Sequence, residues 1–207
     1  MSSGTYASSG LFVCFEGGEG AGKSTQALLL ADALGDREVV LTREPGGTPA
    51  GQLIREILLD PSTGELDHRA EALLYAADKS EHLRAVILPA LERGAIVISD
   101  RYVDSTLAYQ GAGRDLDPAE LEWVVRWSTH DLRPHLTVLL DVAPSEGLGR
   151  FEGRDRIEAE GAEFHARVRA GFLALAEKDP THYLVLDARE DRAVLAAKIL
   201  ERVESLL

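Results

Sequence analysis

Short apolar runs alternate with longer amphipathic stretches along nearly the whole chain. Five runs are Leu-rich or β-branched and too short for helices, as expected of parallel strands buried on both faces: Leu11–Glu16, Glu38–Thr42, Ala95–Ser99, Leu136–Asp141 and His182–Asp187. Amphipathic stretches predict helices over Lys23–Leu34, Pro49–Leu59, His68–Glu92, Pro118–Trp127, Glu158–Glu177 and Arg189–Leu206. Strands that alternate with helices indicate βαβ units, and therefore an α/β fold with a doubly wound parallel sheet.

Composition limits the partners and the location of such a protein. The 207 residues suffice for one α/β domain, which we expect over residues 11–207. Residues 1–10 are rich in Ser and Gly and lack the basic start and apolar core of a signal peptide, so we expect a disordered leader. No apolar stretch approaches membrane-spanning length, and a net charge of −13 argues against a nucleic-acid polymer as partner. We therefore expect a cytoplasmic protein that binds neither membranes nor nucleic acid.

Cysteine and histidine offer no metal chemistry. Cys14 is the single cysteine of the chain, which excludes an intramolecular disulfide and a Cys-rich metal site. It lies in an apolar run, so we expect a buried core thiol. The six histidines show no metal-ligand spacing, and no chemistry is assigned to them.

A phosphate-binding loop follows the first predicted strand. Residues 17–24 read GGEGAGKS and match G-x-x-x-x-G-K-[ST]. Glycines let successive backbone N–H groups point at phosphate oxygens, and the following helix adds the positive end of its dipole. Lys23 would bridge the β- and γ-phosphates, and the Ser24 hydroxyl would ligate Mg²⁺. The motif lies between a predicted strand and a predicted helix, which is the context that this function needs.

The class of P-loop protein can be narrowed from the rest of the chain. The sequence contains no asparagine, so the N-K-x-D motif with which GTPase switches read guanine is absent. A motor or transporter ATPase would usually be larger. The segment 145–157 is rich in Gly, Arg and acidic residues without apolar periodicity, as expected of a flap that closes over substrates. A nucleoside or nucleotide kinase fits these features.

Three further motifs follow predicted strands or the flap. Residues 42–48 read TREPGGT, residues 100–110 read DRYVDSTLAYQ, and residues 155–158 read DRIE. Together with residues 16–25 they resemble bacterial thymidylate kinases, in order and near-family spacing, from about Leu11 to the C-terminus. The resemblance implies a P-loop NTPase three-layer fold with strand order 2-3-1-4-5 and a short lid at about 147–157. It also implies ATP and dTMP as substrates, Mg²⁺ as cofactor, and a homodimer.

The resemblance assigns the phosphate and metal contacts. ATP would be bound by the P-loop and by one lid arginine: Gly17, Gly18, Glu19, Gly20, Ala21, Gly22, Lys23, Ser24, Thr25 and Arg150. Asp100 would organise Mg²⁺ together with Ser24, and Arg101 would grip the acceptor phosphate. Asp141 also ends an apolar strand, but no motif surrounds it, so it ranks below Asp100.

The acceptor site implied by the resemblance draws on four segments. Its members are Glu19, Arg43, Tyr75, Lys79, Arg101, Ser105, Thr106, Tyr109 and Gln110. Glu19 would hold the 3′-hydroxyl and Tyr109 would crowd the 2′ position, which favours deoxyribose. Tyr75 and Lys79 depart from the Phe and Arg usual in the family. Tyr keeps the stacking face, whereas Lys loses the planar, multi-donor geometry of Arg. Core packing is the alternative role for Tyr75 and Tyr109.

The flap would supply the catalytic cation. The P-loop carries Gly20 where some families have an arginine, so the resemblance assigns catalysis to Lys23, Arg101 and Arg154, with Arg154 rather than Arg150 on the transferring phosphoryl group. The residues usually found between this arginine and DRIE are missing, so Arg150 remains an alternative. Two other functions stay open: a P-loop kinase of another deoxynucleotide or nucleoside, and a nucleotide-binding protein without catalysis.

Overall fold

Five parallel strands form one sheet in a computed structural model that describes residues 4–147 and 155–207. The strands are β1 Leu11–Glu16, β2 Val39–Arg43, β3 Ile96–Asp100, β4 Leu136–Asp141 and β5 Tyr183–Asp187. Their order is β2-β3-β1-β4-β5, which confirms the predicted fold. β1 is central, since Val13 lies opposite Ile98 on one side and Leu136 on the other.

Helices connect the strands and cover both faces of the sheet. Their bounds are α1 Lys23–Ala33, α2 Pro49–Leu59, α3 His68–His82, α4 Leu88–Glu92, α5 Val103–Thr106, α6 Pro118–Ser128, α7 Pro144–Gly147, α8 Ala162–Lys178 and α9 Arg192–Glu204. Side-chain oxygens accept backbone N–H bonds where four of them begin: Thr48, Asp67, Asp117 and Asp191.

Two π-helical segments depart from the sequence prediction. The single helix predicted over His68–Glu92 is interrupted by a π-helical segment, Leu83–Ile87, between α3 and α4. A second one, Leu107–Gly113, continues from α5 in a stretch where no helix was predicted. Gly111 and Gly113 lower the helix propensity there, and packing against α8 compensates for it. This second segment carries Tyr109 and Gln110.

Alternate side chains of β1 enter two separate cores, as the two-residue period of a strand requires. Val13 and Phe15 pack with α1 and α9, whereas Phe12 and Cys14 pack with the α3–α4 and α6 side. All four are at most 1 % exposed. The predicted burial on both faces is confirmed for β1, β3 and β4, whereas the edge strands β2 and β5 are partly exposed. Cys14 is a buried free thiol.

The N-terminal residues that the structure describes are attached to the domain. Thr5 N donates to Asp131 O at 2.9 Å and Arg133 N donates to Thr5 O at 2.8 Å. The Tyr6 ring stacks on His182 with centroids 4.7 Å apart. Thr5 and Tyr6 thus contact the domain through backbone pairing and aromatic stacking, and the disorder expected for residues 1–10 stays a prediction. In the part of the chain that the structure describes, no helix is long and apolar enough to cross a membrane.

Candidate active site

The phosphate-binding loop occupies residues 17–22, between β1 and α1. Gly17, Gly20 and Gly22 have positive φ angles of 136°, 70° and 88°, which only glycine adopts without strain. Lys23 is buried, and its Nζ donates to Gly17 O at 3.1 Å and Gly18 O at 2.8 Å. Burial, followed by repulsion from Arg101, lowers the pKa of Lys23. The geometry is that of a phosphate cradle with its lysine at the centre.

Two oxygen-bearing side chains meet beside this loop. Ser24 Oγ, on the first turn of α1, donates to Asp100 Oδ2 at 2.5 Å at the end of β3. Hydroxyl and carboxylate oxygens are ligands that Mg²⁺ accepts, and this ion usually takes few protein ligands beside phosphates and waters. Within residues 4–147 and 155–207, no cluster of three or more His, Cys, Asp or Glu could hold a metal ion by itself. The donors present therefore fit a magnesium ion bound mainly through a nucleotide.

Asp141 has a different partner. It ends β4, and Arg169 on α8 donates to both of its oxygens at 2.7 Å. A bidentate arginine pair already compensates the charge of this carboxylate and uses one lone pair on each oxygen. The structure thus supports ranking Asp141 below Asp100 as a metal ligand.

Arg101, Glu19 and Tyr109 form a hydrogen-bonded cluster next to the loop. Arg101 Nη2 lies 2.6 Å from Glu19 Oε1, and Tyr109 OH donates to the same oxygen at 2.6 Å. Arg101 Nη1 also donates to Gly17 O and to Ser105 Oγ, both at 3.1 Å. Burial alone would raise the pKa of Glu19, but Arg101 and Lys23 lower it to about 2. The acidic side chain inside the P-loop is thus ionised, and it lines a cleft beside the loop.

This cleft borders the Arg101–Glu19–Tyr109 cluster. Its cavity volume is about 120 Å³, and it is partly open to solvent. It is lined by Glu19, Glu44, Pro45, Arg55, Leu59, Tyr75, Lys79, Arg101, Ser105, Thr106, Tyr109, Gln110, Asp155, Ile157 and Glu158. Eight of the nine residues predicted for the acceptor are present in that set, and Arg43 is not. Arg43 ends β2 and is exposed.

A buried polar network holds one wall of the cleft. Lys79 Nζ lies 3.1 Å from Glu44 Oε2, and His82 Nδ1 lies 2.8 Å from Glu44 Oε1. On the other side of the imidazole, His82 Nε2 is 2.6 Å from Thr42 Oγ1. Asp78 Oδ1 accepts from Gly46 N at 3.0 Å. The network fixes the TREPGGT loop against α3, so Lys79 has a structural partner as well as a place in the cleft.

The base of the lid touches the P-loop through two glycines. A Cβ atom on Gly20 would overlap the Gly147 carbonyl oxygen, and one on Gly147 would overlap the Glu19 carbonyl oxygen. Because these backbones approach so closely, position 20 has no room for an arginine side chain in this arrangement. Arg150 and Arg154 lie outside the described residues, so their predicted roles stay predictions.

Comparison with known proteins decides the family. The family model described as thymidylate kinase matches residues 15–199, which include the P-loop, the cleft and the DRIE run. The chain belongs to the thymidylate kinase family. This membership confirms the resemblance predicted from the four motifs, and with it the prediction of a kinase.

Individual thymidylate kinases match over nearly the full length. The enzyme of Cutibacterium acnes is 54 % identical over 200 residues, covering 96 % of this chain and 98 % of the relative. The enzyme of Clavibacter sepedonicus is 51 % identical over 204 residues, covering 96 % of each. The crystal structure of thymidylate kinase from Ehrlichia chaffeensis is 33 % identical, with a TM-score of 0.79, covering 95 % of this chain and 99 % of that one.

Sequence reasoning missed one cation that the fold brings to the cleft, and it missed the partners of a second arginine. Arg55 on α2 lines the cleft and donates from Nη1 to Pro45 O at 3.0 Å. The sequence carried a signal for Arg55, because the spacing of Gly51, Arg55 and Leu58 places them on one helix face. Gly51 and Leu58 on that face are buried. Arg156 was considered only as a lid residue. It donates instead to Leu58 O at 2.9 Å and forms an ion pair with Glu71 on α3.

Proposed function

We propose that this protein transfers the γ-phosphoryl group of ATP to dTMP, giving ADP and dTDP, within the thymidylate kinase family. The observation that carries the proposal is the Arg101–Glu19 pair, which lies between the phosphate cradle and the cleft. A kinase must bring donor and acceptor phosphates together, and this pair borders both sites. The acceptor is already a phosphate anion, so the reaction needs positioning and charge neutralisation rather than a general base.

The cradle and the metal site act on the donor. The P-loop amides and Lys23 would hold the β- and γ-phosphates, where the lysine offsets charge in the transition state. Ser24 and Asp100 would hold Mg²⁺, which neutralises phosphate charge when bound. The exposed Thr25 follows Ser24 on the first turn of α1 and is the last of the proposed ATP contacts.

The cleft acts on the acceptor. Arg101 and Arg55 would bind its phosphate, with Arg43 adding positive charge from outside the cleft. Glu19 would accept the 3′-hydroxyl, and Tyr109 would crowd the 2′ position. Tyr75 is half-buried on α3 and would stack on the base, while Lys79, Ser105, Thr106 and Gln110 would line its edge. These polar and aromatic groups give the cleft the mixed character that a nucleotide site needs.

The lid would complete the site. Arg154 is proposed as the cation on the transferring group and Arg150 as an ATP contact, since the close approach of Gly20 and Gly147 leaves no room for a P-loop arginine. Bringing a cation in with the lid also excludes water at the moment of transfer. The cytoplasmic location expected from the sequence stays a prediction.

A homodimer is proposed through the outer faces of α2, α3 and α6. α3 packs against both other helices, and the three carry large exposed apolar side chains: Leu53, Leu73, Trp123 and Trp127. Leu73 and Trp123 line one groove between α3 and α6 whose surface is mostly apolar. Apolar surface of this kind usually marks an interface. Light scattering should give twice the chain mass for the native protein, and Leu73→Asp should shift it towards the monomer.

An acceptor screen tests the function. Purified protein with ATP and Mg²⁺ is offered dTMP, dUMP, ribothymidine monophosphate and thymidine, and ADP release is measured. The proposal expects the highest kcat/KM with dTMP and none with thymidine, which lacks the phosphate that Arg101 binds. A preference for thymidine would indicate a nucleoside kinase instead. ATP binding without ADP release for any acceptor would indicate a binding protein.

A further inference from the structure

The carboxylate of Glu71 is fully buried behind the cleft, on the same helix as Tyr75 and Lys79. Its Oε1 accepts from Gln110 Nε2 at 2.9 Å and from Arg114 Nε at 3.1 Å. Its Oε2 accepts from Arg114 Nη2 at 3.2 Å and also from Arg156. Burying a carboxylate is costly unless it is paired in this way. None of the phosphate-transfer roles proposed above uses it.

The chemistry of Glu71 fixes which end of the Gln110 amide faces it. Burial alone would raise the pKa of Glu71, but hydrogen bonds from Arg114, Gln110 and Arg156 bring it below its ordinary value. An ionised carboxylate only accepts hydrogen bonds. The group of Gln110 at 2.9 Å must therefore be the amide NH2.

The carbonyl oxygen of Gln110 is thereby left for a ligand. Gln110 lines the cleft, and among the described residues its side chain has Glu71 as hydrogen-bond partner through Nε2 alone. A glutamine amide can otherwise turn over and present either a donor or an acceptor. If the amide of Gln110 turned over, its carbonyl oxygen would face the ionised carboxylate of Glu71, which is also an acceptor. The orientation with the NH2 group towards Glu71 is therefore favoured.

We propose that Glu71 is a specificity-determining positioning residue, which holds Gln110 so that its carbonyl oxygen faces the base and selects pyrimidines with a hydrogen on N3. Thymine and uracil carry an N3–H donor, whereas N3 of cytosine is an acceptor and would face the Gln110 oxygen without a hydrogen. The inference rests on the proposed function in placing a pyrimidine nucleotide in this cleft. A site built to pair with a donor rejects the analogue that lacks it, because a polar group is then left unpaired.

The test compares three acceptors in Glu71→Gln, since the new amide can donate to Gln110 and lets it turn over. The kcat/KM ratio of dTMP to dCMP should fall by about tenfold or more, the value of one lost hydrogen-bond preference. The ratio of dTMP to dUMP should stay within about twofold, because both bases carry N3–H. Each ratio is measured on one preparation, so it does not depend on the fraction of folded enzyme.

Glu160→Gln is the matched control. Glu160 pairs with Nη1 of the same arginine, Arg114, but not with Gln110, so both ratios should remain at the wild-type value. In a Gln110→Met background, Glu71→Gln should no longer change the dTMP to dCMP ratio. An unchanged ratio in Glu71→Gln, an equal fall of both ratios, or the same fall in the Gln110→Met background would overturn the proposal.

Two further outcomes have their own tests: a Glu71→Gln variant that does not fold, and a wild-type protein that does not phosphorylate dTMP. If Glu71→Gln does not fold, Gln110→Met alone must lower the dTMP to dCMP ratio, and an unchanged ratio overturns the proposal. If the wild-type protein does not phosphorylate dTMP, the proposed function fails. The orientation of Gln110 is then decided by titration calorimetry with dTMP and dCMP on wild type and Glu71→Gln, where loss of the thymine preference supports it and an unchanged preference overturns it.

Discussion

Arg101 Nη2 and Glu19 Oε1 lie 2.6 Å apart, joining the end of β3 to the inside of the P-loop. The Arg101 backbone has a φ of 73°, a left-handed conformation that is uncommon for a residue with a side chain. Its guanidinium reaches four acceptors: Gly17 O, Ser105 Oγ, Glu19 Oε1 and Tyr109 OH. A planar fork can contact this many groups at once, whereas an ammonium group cannot do so with the same geometry.

Arg101→Lys should therefore reduce kcat/KM for dTMP by about 10²-fold although the charge is kept. Steady-state kinetics with varied dTMP measures the effect. Arg93→Lys is the control, because Arg93 pairs with Glu38 on the surface and its replacement should leave the kinetics unchanged. Activity of Arg101→Lys within about threefold of wild type would contradict the phosphate-binding role of Arg101.

Tyr109 should control the choice between deoxyribose and ribose. Tyr109→Ala removes a buried ring that contacts Phe172, opens space near the sugar, and should lower the kcat/KM ratio of dTMP to ribothymidine monophosphate. Tyr109→Phe keeps the ring and loses the 2.6 Å bond to Glu19 and the 3.3 Å bond from Arg101, so this ratio should be preserved. An equal ratio in all three proteins would mean that Tyr109 acts in the core alone.

Gly147→Ala should disturb the P-loop from the lid side. The added Cβ would overlap the Glu19 carbonyl oxygen, so the loop must shift, and we expect KM for ATP to rise by about tenfold. Gly161→Ala is a matched control, since a Cβ there meets no atom within 4 Å and φ is −69°. If both variants have the same KM for ATP, the contact between α7 and the P-loop does not affect the use of ATP.

Asp78 should make part of the stability depend on pH. Burial, followed by the charge of Glu44, raises the pKa of Asp78 to about 6, so the folded protein binds its proton more tightly than the unfolded chain does. The contribution of this proton to the free energy of unfolding is therefore present below pH 4 and is lost as the pH rises through about 6. Asp78→Asn removes this loss, so its free energy of unfolding relative to wild type should increase by about 1–3 kcal/mol between pH 4 and pH 7. Urea unfolding at both pH values measures it, and a pH-independent difference would contradict the assignment.

The two lid arginines should differ in what they change. Arg154→Ala should lower kcat by about 10²- to 10³-fold with little change in KM for dTMP, because a transition-state contact is lost. Arg150→Ala should be milder and should act mainly on KM for ATP. The reverse ranking would assign the catalytic role to Arg150, and small effects from both would mean that the cation comes from elsewhere.

The strands and the phosphate loop could be predicted because their signals are local, whereas the strand order was implied by the resemblance of the motifs to a known family. A buried parallel strand is recognisable within six residues, and the P-loop within eight. The cluster around Glu71 could not be predicted from the sequence. Gln110 and Arg156 are 39 and 85 residues away along the chain, and they contact Glu71 only after the helices pack. The π-helical segment that carries Tyr109 depends likewise on packing against α8 rather than on its own propensity.

The stacked rings of Trp123 and Trp127 have a practical consequence. Their centroids are 6.2 Å apart, both side chains are more than half exposed, and the chain contains no other tryptophan. Ultraviolet emission from indole therefore originates on one outer face of α6 and shifts to shorter wavelength when water leaves that face. Diluting the protein while recording its emission spectrum gives a label-free measure of whether a second chain covers these rings.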